Sequence, residues 1–437
     1  MAWERWCLRR PRWTAARDAV AIRDGAVEAR LIALGDVALV RPRANDAIGR
    51  LDALKALLDA ADIRIANLEA VITSHDQAST KIGHGLRADP EVLDALTAAG
   101  FNVVNAANNH ALDYGAEGLT NSLELLAARG IGVCGIDAEA DRQQCVTRVV
   151  NSIKVGFLGF CDDLNVAPVA GAPRPYLWSR EAVSSAIAAA RRQADVVIVQ
   201  VHWGYEFALH PLRRNRDEAR RAVEAGAHAV ICHHAHVPLG FEVWKGCPIV
   251  HGLGNGFLPI SPYLRSGHPW VDRSYALELG LVRDGVATVR LHPLALQRDG
   301  SPAPLAGGDR GALLRRVRRM SARLSDDAFL DRCERARLTY ETVRLAAAIR
   351  EAAAESAEAL EARVALLELP RQQALLEFLT EHPQTARLAL ALRALVAARQ
   401  AGNLRAVIAR HASELSGALE GVRDLYRWRD ALRARVP

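Results

Sequence analysis

The residues best suited to chemistry lie in the segment 107–115, Ala-Asn-Asn-His-Ala-Leu-Asp-Tyr-Gly. An apolar, strand-like run at 101–104 precedes it and a stretch with helical periodicity at 117–129 follows. His110 and Asp113 therefore fall on a strand-to-helix turn, where α/β proteins often expose catalytic groups. The alternative is a helix cap, with Asn108 or Asn109 at the N-cap and the other side chains merely polar.

Further polar clusters favour the chemical interpretation, because each also follows an apolar run. These are Gly35-Asp36 after 29–34, Asn67-Leu68-Glu69 after 62–66, the residues 202–206 (His-Trp-Gly-Tyr-Glu) after 195–201, and the residues 233–236 (His-His-Ala-His) after 229–232. Helical stretches alternate with these runs. Repeats of strand, polar end and helix predict an α/β fold with its functional side chains gathered at one sheet edge.

The side chains predicted to meet there are typical metal ligands. Carboxylate, amide oxygen and neutral imidazole groups bind Mn, Fe, Zn, Mg or Ca, and a carboxylate flanked by histidines suits a dinuclear hydrolytic site. The sequence thus predicts a divalent metal ion (Ca, Mn, Mg or Zn) and no organic cofactor. The polar groups are Asp36, Glu69, Asn109, His110, His202, His234 and His236.

Length and charge predict a separate C-terminal unit. A chain of 437 residues is long enough for two or three domains. Residues 301–437 hold 23 Arg against 17 Asp or Glu, which accounts for the whole formal charge of +6. We expect an N-terminal extension at 1–28, a catalytic domain at 29–300 and a helical domain of about five helices at 301–437. The basic excess is mild and mixed with acids, so nucleic-acid binding is not expected.

Cysteine usage and hydropathy bear on the compartment. The seven cysteines form no Cys-x-x-Cys pair, which argues against a disulfide scaffold or a zinc ribbon and favours a reducing compartment. Residues 1–28 have no apolar signal-peptide core, and no run of 18 apolar residues exists. We therefore predict a cytoplasmic protein with no membrane partner, and the oligomeric state, with a homo-oligomer as one option, is left open.

Taken together, the motifs resemble the capsule-synthesis (poly-γ-glutamate, CapA-type) branch of the calcineurin-like metallophosphoesterases over about residues 29–260. The resemblance implies a β-sandwich flanked by helices. It implies the metal ligands Asp36, Glu69, Asn109, His202, His234 and His236. It also implies that His110 is a general acid or base, and Asp113, three residues on, is expected to orient it from the same helical face.

Three departures from the family pattern matter. Ala38 stands where most calcineurin-like enzymes have the histidine of Asp-x-His, as is usual in this branch, so the first metal site is expected to be weaker, with fewer than two tightly bound metals per chain. His233 stands where the superfamily has Gly, and His251 where this branch often has Tyr. Capsule-synthesis members are typically exported or anchored, so the absence of an export signal argues against a cell-envelope role.

The chain is also similar, in size and in its long helical tail, to a cytosolic lasso-peptide tryptophan epimerase of this fold. That similarity implies a peptide substrate and a metal-dependent epimerase, which inverts the Cα of the C-terminal residue of a ribosomal, lasso-type precursor peptide by His/Asp acid-base catalysis. His110 would be one proton carrier, and the options for the second are His236, His251 and His84. His236 is preferred if loss of the first metal site releases it, and Glu206 is a further catalytic candidate. The alternatives are a metallohydrolase of phosphoesters or γ-glutamyl amides and a non-catalytic capsule-assembly partner.

Overall fold

The structure is a computed structural model that describes residues 18–38, 40, 49–79, 85–137, 145–268, 270–355, 363–367, 370–381, 390, 392–394, 396–397 and 399. Its strands, numbered in chain order, are β1 (Ala19–Ala21), β2 (Ala29–Val37), β3 (Ile63–Leu68), β4 (Val71–Ile72), β5 (Arg87–Ala88), β6 (Val103–Asn105), β7 (Gly132–Cys134), β8 (Ile136–Asp137), β9 (Val146–Val150), β10 (Ile153–Cys161), β11 (Arg174–Pro175), β12 (Val196–His202), β13 (Ala229–His233), β14 (Phe241–Trp244), β15 (Cys247–Val250), β16 (Asn255–Phe257), β17 (Arg273–Val282), β18 (Gly285–Leu296) and β19 (Pro302–Pro304). The α-helices are α1 (Lys55–Asp59), α2 (Leu93–Ala98), α3 (Gly115–Ala128), α4 (Arg180–Arg191), α5 (Arg213–Glu224), α6 (Pro262–Gly267), α7 (Gly307–Arg323), α8 (Asp327–Glu355) and α9 (Pro370–Glu381).

Two large sheets form the body of the protein. The nine-stranded sheet runs β1-β18-β17-β2-β3-β6-β7, with β16 beside β2 and β19 beside β18. The six-stranded sheet runs β14-β15-β13-β12-β10-β9. In the first sheet β2, β3, β6 and β7 are parallel, and in the second β10, β12, β13 and β15 are parallel. Each sheet therefore brings the carboxyl ends of several strands to one edge.

The main core lies between the two sheets. Alternate residues of β2 face opposite ways: Leu31 and Ala33 pack with residues of the second sheet such as Ile198, whereas Ile32 and Leu34 pack on the outer side against the first helices of the chain. In β12, Val197 and Val199 point outward to α4 and α5. This period-2 alternation is the pattern expected of strands buried on both faces. The result is a β-sandwich flanked by helices.

The predicted α/β sandwich is thus confirmed, with differences at the ends of elements. Between β2 and β3, the described residues form a short 3-10 turn, Asp52–Leu54, followed by α1. Residues 109–114 form turns, and α3 begins at Gly115, so Asp113 does not share a helical face with His110 as expected. Their side chains meet nonetheless, because the turn folds Asp113 back toward the imidazole.

Most of the described residues after Pro304 are helical, including those of α7, α8 and α9. Leu313 and Val317 of α7 pack into the core between the sheets. Arg213 of α5 pairs with Asp331 of α8, with 2.9 Å between Nη1 and Oδ2.

At the other end of the chain, β1 pairs with β18 and joins the first sheet. Trp3, Trp6 and Trp13 lie outside the described residues. Among the described residues, no helix combines the length and the apolar character needed to cross a membrane.

Gly35, directly before Asp36, should be intolerant of any side chain. A Cβ at this position would lie 1.8 Å from the carbonyl oxygen of Gly254, where β16 approaches β2. We expect Gly35→Ala to destabilise the protein by at least about 1–3 kcal/mol, the usual cost of overpacking a core. Urea unfolding measures the change. Gly308→Ala is the matched control, since a Cβ there meets no atom within 4 Å, and equal stability losses in both variants would contradict the expectation.

Candidate metal centre

The carboxyl ends of five strands bring the predicted ligands to one edge of the sandwich. Asp36 lies near the end of β2, and Glu69 directly follows β3. Asn109 lies in the turn after β6, His202 ends β12, and His234 and His236 follow β13. All six residues are buried. The sequence pattern of apolar run and polar end explains this convergence, because parallel strands start their loops at the same edge.

Asp36 lies between the two sheets and is held from several sides. Its Oδ1 accepts a 2.9 Å hydrogen bond from Asn67, and its Oδ2 accepts one of 3.2 Å from the backbone N–H of His234. The Nδ1 atom of His236 lies 3.3 Å from Oδ2, and that of His202 lies 3.7 Å from Oδ1. Asp36 therefore links the end of β2 to His202, at the end of β12, and to His234 and His236, which follow β13.

Glu69 occupies the middle of the cluster. Its Oε1 lies 3.5 Å from Nε2 of His236 and 3.9 Å from Nε2 of His202. Neither of its carboxylate oxygens has a hydrogen-bond partner among the described residues, although both are buried. A buried carboxylate without hydrogen bonds is costly unless a cation compensates it.

The ring of His202 is fixed on both sides by amides. Asn67 Nδ2 lies 3.1 Å from Nδ1, and Asn105 in turn donates a 2.8 Å hydrogen bond to Asn67 Oδ1. On the other side, His202 Nε2 lies 2.8 Å from Asn109 Oδ1. Such relays of hydrogen bonds behind a ligand orient it before any ion binds.

The ring of His236 is oriented in the same way. Asn255 donates hydrogen bonds from Nδ2 to the carbonyls of His236 and Val271, so its Oδ1 is left to accept from His236 Nδ1 at 2.8 Å. His236 Nε2 is thereby directed at Glu69. The backbone is strained at this segment, since His234 and His236 have φ of 86° and 56°. Positive φ at non-glycine residues is costly and is concentrated at functional sites.

Electrostatics favour a cation in this cluster. Burial first, and then the charge of Glu69, raise the pKa of Asp36 to about 8. Burial lowers the pKa of His234 to about 3 and that of His202 well below its ordinary value, which keeps both rings neutral. Burial opposes the charge on His236, but Glu69 and Asp36 overcome it and raise its pKa to about 9. The cluster thus holds a proton that a divalent cation would replace.

The donor set fits a divalent metal. Among the described residues, three groups of side chains offer ligand atoms that lie within 4.8 Å of one another: Glu69, His202 and His234; Glu206, His234 and His236; and Asp36, Glu69 and His236. Carboxylate and imidazole donors at these separations, with two orphaned Glu69 oxygens, suit Mn, Zn or a similar ion. Glu206, predicted as catalytic, is therefore placed at the margin of the cluster.

His110 lies beside the cluster and outside these groups. Its Nδ1 lies 2.7 Å from Asp113 Oδ2, which also accepts a 2.8 Å hydrogen bond from the backbone of Leu86. Asn165 lies beside both this pair and the ligands: its Oδ1 accepts a hydrogen bond from Asn109, and its Nδ2 lies 3.2 Å from His110 Nδ1. The contact with Asp113 places the ring proton on Nδ1 and leaves Nε2 for proton exchange.

Not every predicted residue joins the cluster. His251 Nε2 lies 3.2 Å from Glu242, which also binds Arg220, so the structure gives His251 a partner other than the ligands. His84 lies outside the described residues. His233 is buried with its Nδ1 3.7 Å from Asp36 Oδ1, and burial lowers its pKa to about 3.

Several residues that the structure places around the ligands have no role predicted from the sequence. Asn67 belongs to the Asn-Leu-Glu motif and Asn255 follows Gly254 at the start of β16, whereas Asn105 ends an apolar run and Asn165 lies in a loop. The fifth, Arg371, comes from the C-terminal helices. Only proximity in the folded chain reveals the roles of the last three.

The protein is expected to hold fewer than two tightly bound metal ions per chain. Ala38 is fully buried at the position where a second imidazole ligand of the first metal would stand, so that site lacks a donor. The measurement is elemental analysis after loading with Mn²⁺ or Zn²⁺ and exhaustive dialysis. Two stoichiometric ions per chain would contradict the expectation.

The protein is a two-sheet α/β sandwich with two carboxylates, an asparagine and three histidines at its strand ends. This combination defines the metallophosphoesterase-like class of proteins. Comparison with known families agrees with this class: the family described as "Bacterial capsule synthesis protein PGA_cap" matches residues 30–258. The chain belongs to this family, in the CapA-type branch of that fold.

Individual relatives match about half of the chain. It is 31% identical to the "Capsule biosynthesis protein CapA" of Bacillus anthracis over 227 residues, or 50% of this chain and 54% of that protein. It is 29% identical to the "PGA biosynthesis protein CapA" of Bacillus subtilis over 259 residues, or 58% and 66%. The chain thus spans between about half and two thirds of these relatives. Among solved structures, a 5′-nucleotidase from Candida albicans has a TM-score of 0.38 at 11% identity, covering 73% of this chain and 59% of the other.

Proposed function

We propose that this protein is a metal-dependent hydrolase that cleaves phosphoester or poly-γ-glutamate-type amide bonds in capsule polymer synthesis. The observation that carries the proposal is the juxtaposition of the buried ligand cluster with the His110–Asp113 pair, whose Nδ1 and Oδ2 atoms lie 2.7 Å apart. A divalent cation held by Asp36, Glu69, Asn109 and the three histidines would act as a Lewis acid on the scissile group.

The residues of the chain supply the remaining chemistry. His110 would take a proton at Nε2 from the attacking water and pass it to the leaving oxygen or nitrogen, while Asp113 holds the ring and stabilises the imidazolium formed in between. Asn165 accepts a hydrogen bond from Asn109 and lies beside His110, with 3.2 Å between its Nδ2 and His110 Nδ1. Burial of the cluster excludes bulk water and strengthens each of these interactions.

The names of the relatives favour the amide over the phosphoester. One relative is named for capsule biosynthesis, a second for PGA biosynthesis, and a third, from Mycobacterium tuberculosis and 30% identical over 210 residues, is named "Probable polyglutamine synthesis accessory protein". Polyglutamine, in the third name, is a polymer whose repeating link is an amide. We therefore place γ-glutamyl amides first and phosphoesters second as substrate classes.

The test offers both substrate classes to the Mn²⁺-loaded full chain. Poly-γ-glutamate is followed by the change in polymer size and by released amino groups, and p-nitrophenyl phosphate by absorbance. Cleavage of either that disappears with EDTA and in Asn109→Ala supports the hydrolase. Metal binding without cleavage of either substrate would contradict it and favour a non-catalytic assembly role.

Peptide epimerisation is a second candidate, favoured by one observation. His236, oriented by Asn255 and 3.5 Å from Glu69, provides a second possible proton carrier besides His110. Inversion of a Cα needs two such groups on opposite faces, and a nearby cation would offset a C-terminal carboxylate. Deuterium uptake at the Cα of a C-terminal residue in D₂O, without chain cleavage, would support epimerisation over hydrolysis.

A further inference from the structure

Arg371, at the start of α9, reaches the metal centre from outside the segment that matches the family. Its Nη1 lies 2.9 Å from Nε2 of His234 and donates a 2.8 Å hydrogen bond to the carbonyl of Gly204. Its Nη2 forms an ion pair with Asp163, and its backbone N–H donates a 3.0 Å hydrogen bond to the carbonyl of Asp162. One side chain therefore joins the C-terminal helices to a predicted metal ligand.

Neighbouring side chains also hold Arg371 in the position from which it contacts His234. Its guanidinium carbon lies 5.2 Å from the ring centroid of Tyr205, which Arg337 approaches at the same distance from α8. Gln372 Nε2 lies 3.5 Å from Asp163 Oδ2, beside the ion pair. The carboxylates of Asp162 and Asp163 offset the positive charge of Arg371, so these acids, more than His234, hold the arginine in place.

The contact between Arg371 and His234 conflicts with metal binding by His234. A guanidinium has only donors, so Nε2 of His234 must accept and its lone pair is occupied. A metal on Nε2 would need that same lone pair. A metal on Nδ1 would leave the ring proton on Nε2, facing the N–H of Arg371, and two donors at 2.9 Å repel. Either way, one of the two contacts must break.

We propose that Arg371 is a positioning residue that holds His234 when no cation is bound, and that a divalent cation on His234 displaces its guanidinium. Cation binding and the Arg371–His234 contact are then mutually exclusive. The metal centre would thus be coupled to the start of α9, which is anchored by Asp162 and Asp163. The proposal rests on the metal site of the proposed function but does not require turnover.

The direct test measures the reactivity of the Arg371 guanidinium in the wild-type full chain. Phenylglyoxal labelling, with peptide mass spectrometry as the readout, is compared in EDTA and in saturating Mn²⁺. We expect Mn²⁺ to raise the labelling rate of Arg371 several-fold and to leave Arg393, an exposed arginine further along the chain, unchanged. An unchanged or lower rate at Arg371 in Mn²⁺ would overturn the proposal.

A second test measures affinity by calorimetry with Mn²⁺ alone. Removing a competing charged donor should tighten binding by about tenfold or more in Arg371→Leu, given the usual strength of such hydrogen bonds, whereas Arg393→Leu should match the wild type. Thermal melting confirms that the variants are folded. Equal or weaker binding by folded Arg371→Leu would overturn the proposal. If neither the wild type nor Arg371→Leu binds Mn²⁺, the result contradicts the metal site and the proposed function as well as this proposal. If Mn²⁺ binds and displaces Arg371 as expected but no hydrolysis occurs, the result contradicts only the proposed function.

Discussion

Replacing His110 with alanine is expected to lower turnover by about 10²- to 10⁴-fold while the protein keeps its fold and most of its metal. The imidazole lies outside the three ligand groups, so its loss removes no ligand from them. Its side chain is 12% exposed, which leaves it accessible at the margin of a buried cluster. Metal content, melting temperature and rate are measured on the same sample.

Two further variants sharpen this prediction. Asp113→Asn should reduce the rate less than His110→Ala does, but it should also lower stability, since Asp113 Oδ2 accepts the hydrogen bond from Leu86. His75→Ala, an exposed histidine in the loop after β4, is the matched control and should leave the rate unchanged. Full activity of His110→Ala with a lowered melting temperature would show that His110 acts only in the turn, where about 1–2 kcal/mol is typical of a cap.

Replacing Glu69 with glutamine is expected to abolish tight metal binding without destabilising the metal-free protein. The carboxylate is buried and lacks hydrogen-bond partners among the described residues, which is costly, but it also lies 3.5 Å from the His236 ring, whose pKa it raises. Neutralisation removes both effects, so the metal-free variant should melt near the temperature of the wild type. Activity should fall by at least about 10³-fold, because several kcal/mol of transition-state stabilisation depend on the cation.

The measurement is a pair of melting curves, in EDTA and in Mn²⁺. At a Mn²⁺ concentration one hundred times its Kd, the wild type should gain about 2.7 kcal/mol, and Glu69→Gln should gain little. Glu117→Gln, which changes an exposed carboxylate in the first turn of α3, should behave as the wild type does. Equal stabilisation of Glu69→Gln by Mn²⁺ would remove Glu69 from the ligand set.

The sequence by itself determined the strands and the residues that end them. Burial on both faces requires apolar runs of five to nine residues, and a chain leaving the core must become polar at once; both features are local. The sequence therefore predicted correctly which polar residues lie at or just after the ends of β2, β3, β12 and β13. These are Asp36, Glu69, His202, His234 and His236. The meeting of His110 with Asp113 was also predicted, although through a helix rather than the observed turn.

Only the tertiary structure decided which side chains support and limit those ligands. Asn105 supports His202 through Asn67 because β6 lies beside β3, and His251 meets Glu242 because β14 folds back onto β15. Arg371 reaches His234 across 137 positions of chain. Such partners leave no local pattern, because a hydrogen bond between distant segments depends on how the sheets and helices pack. The hydrophobic periodicity of a segment shows that its apolar residues are buried, but it does not identify the segment that packs against them.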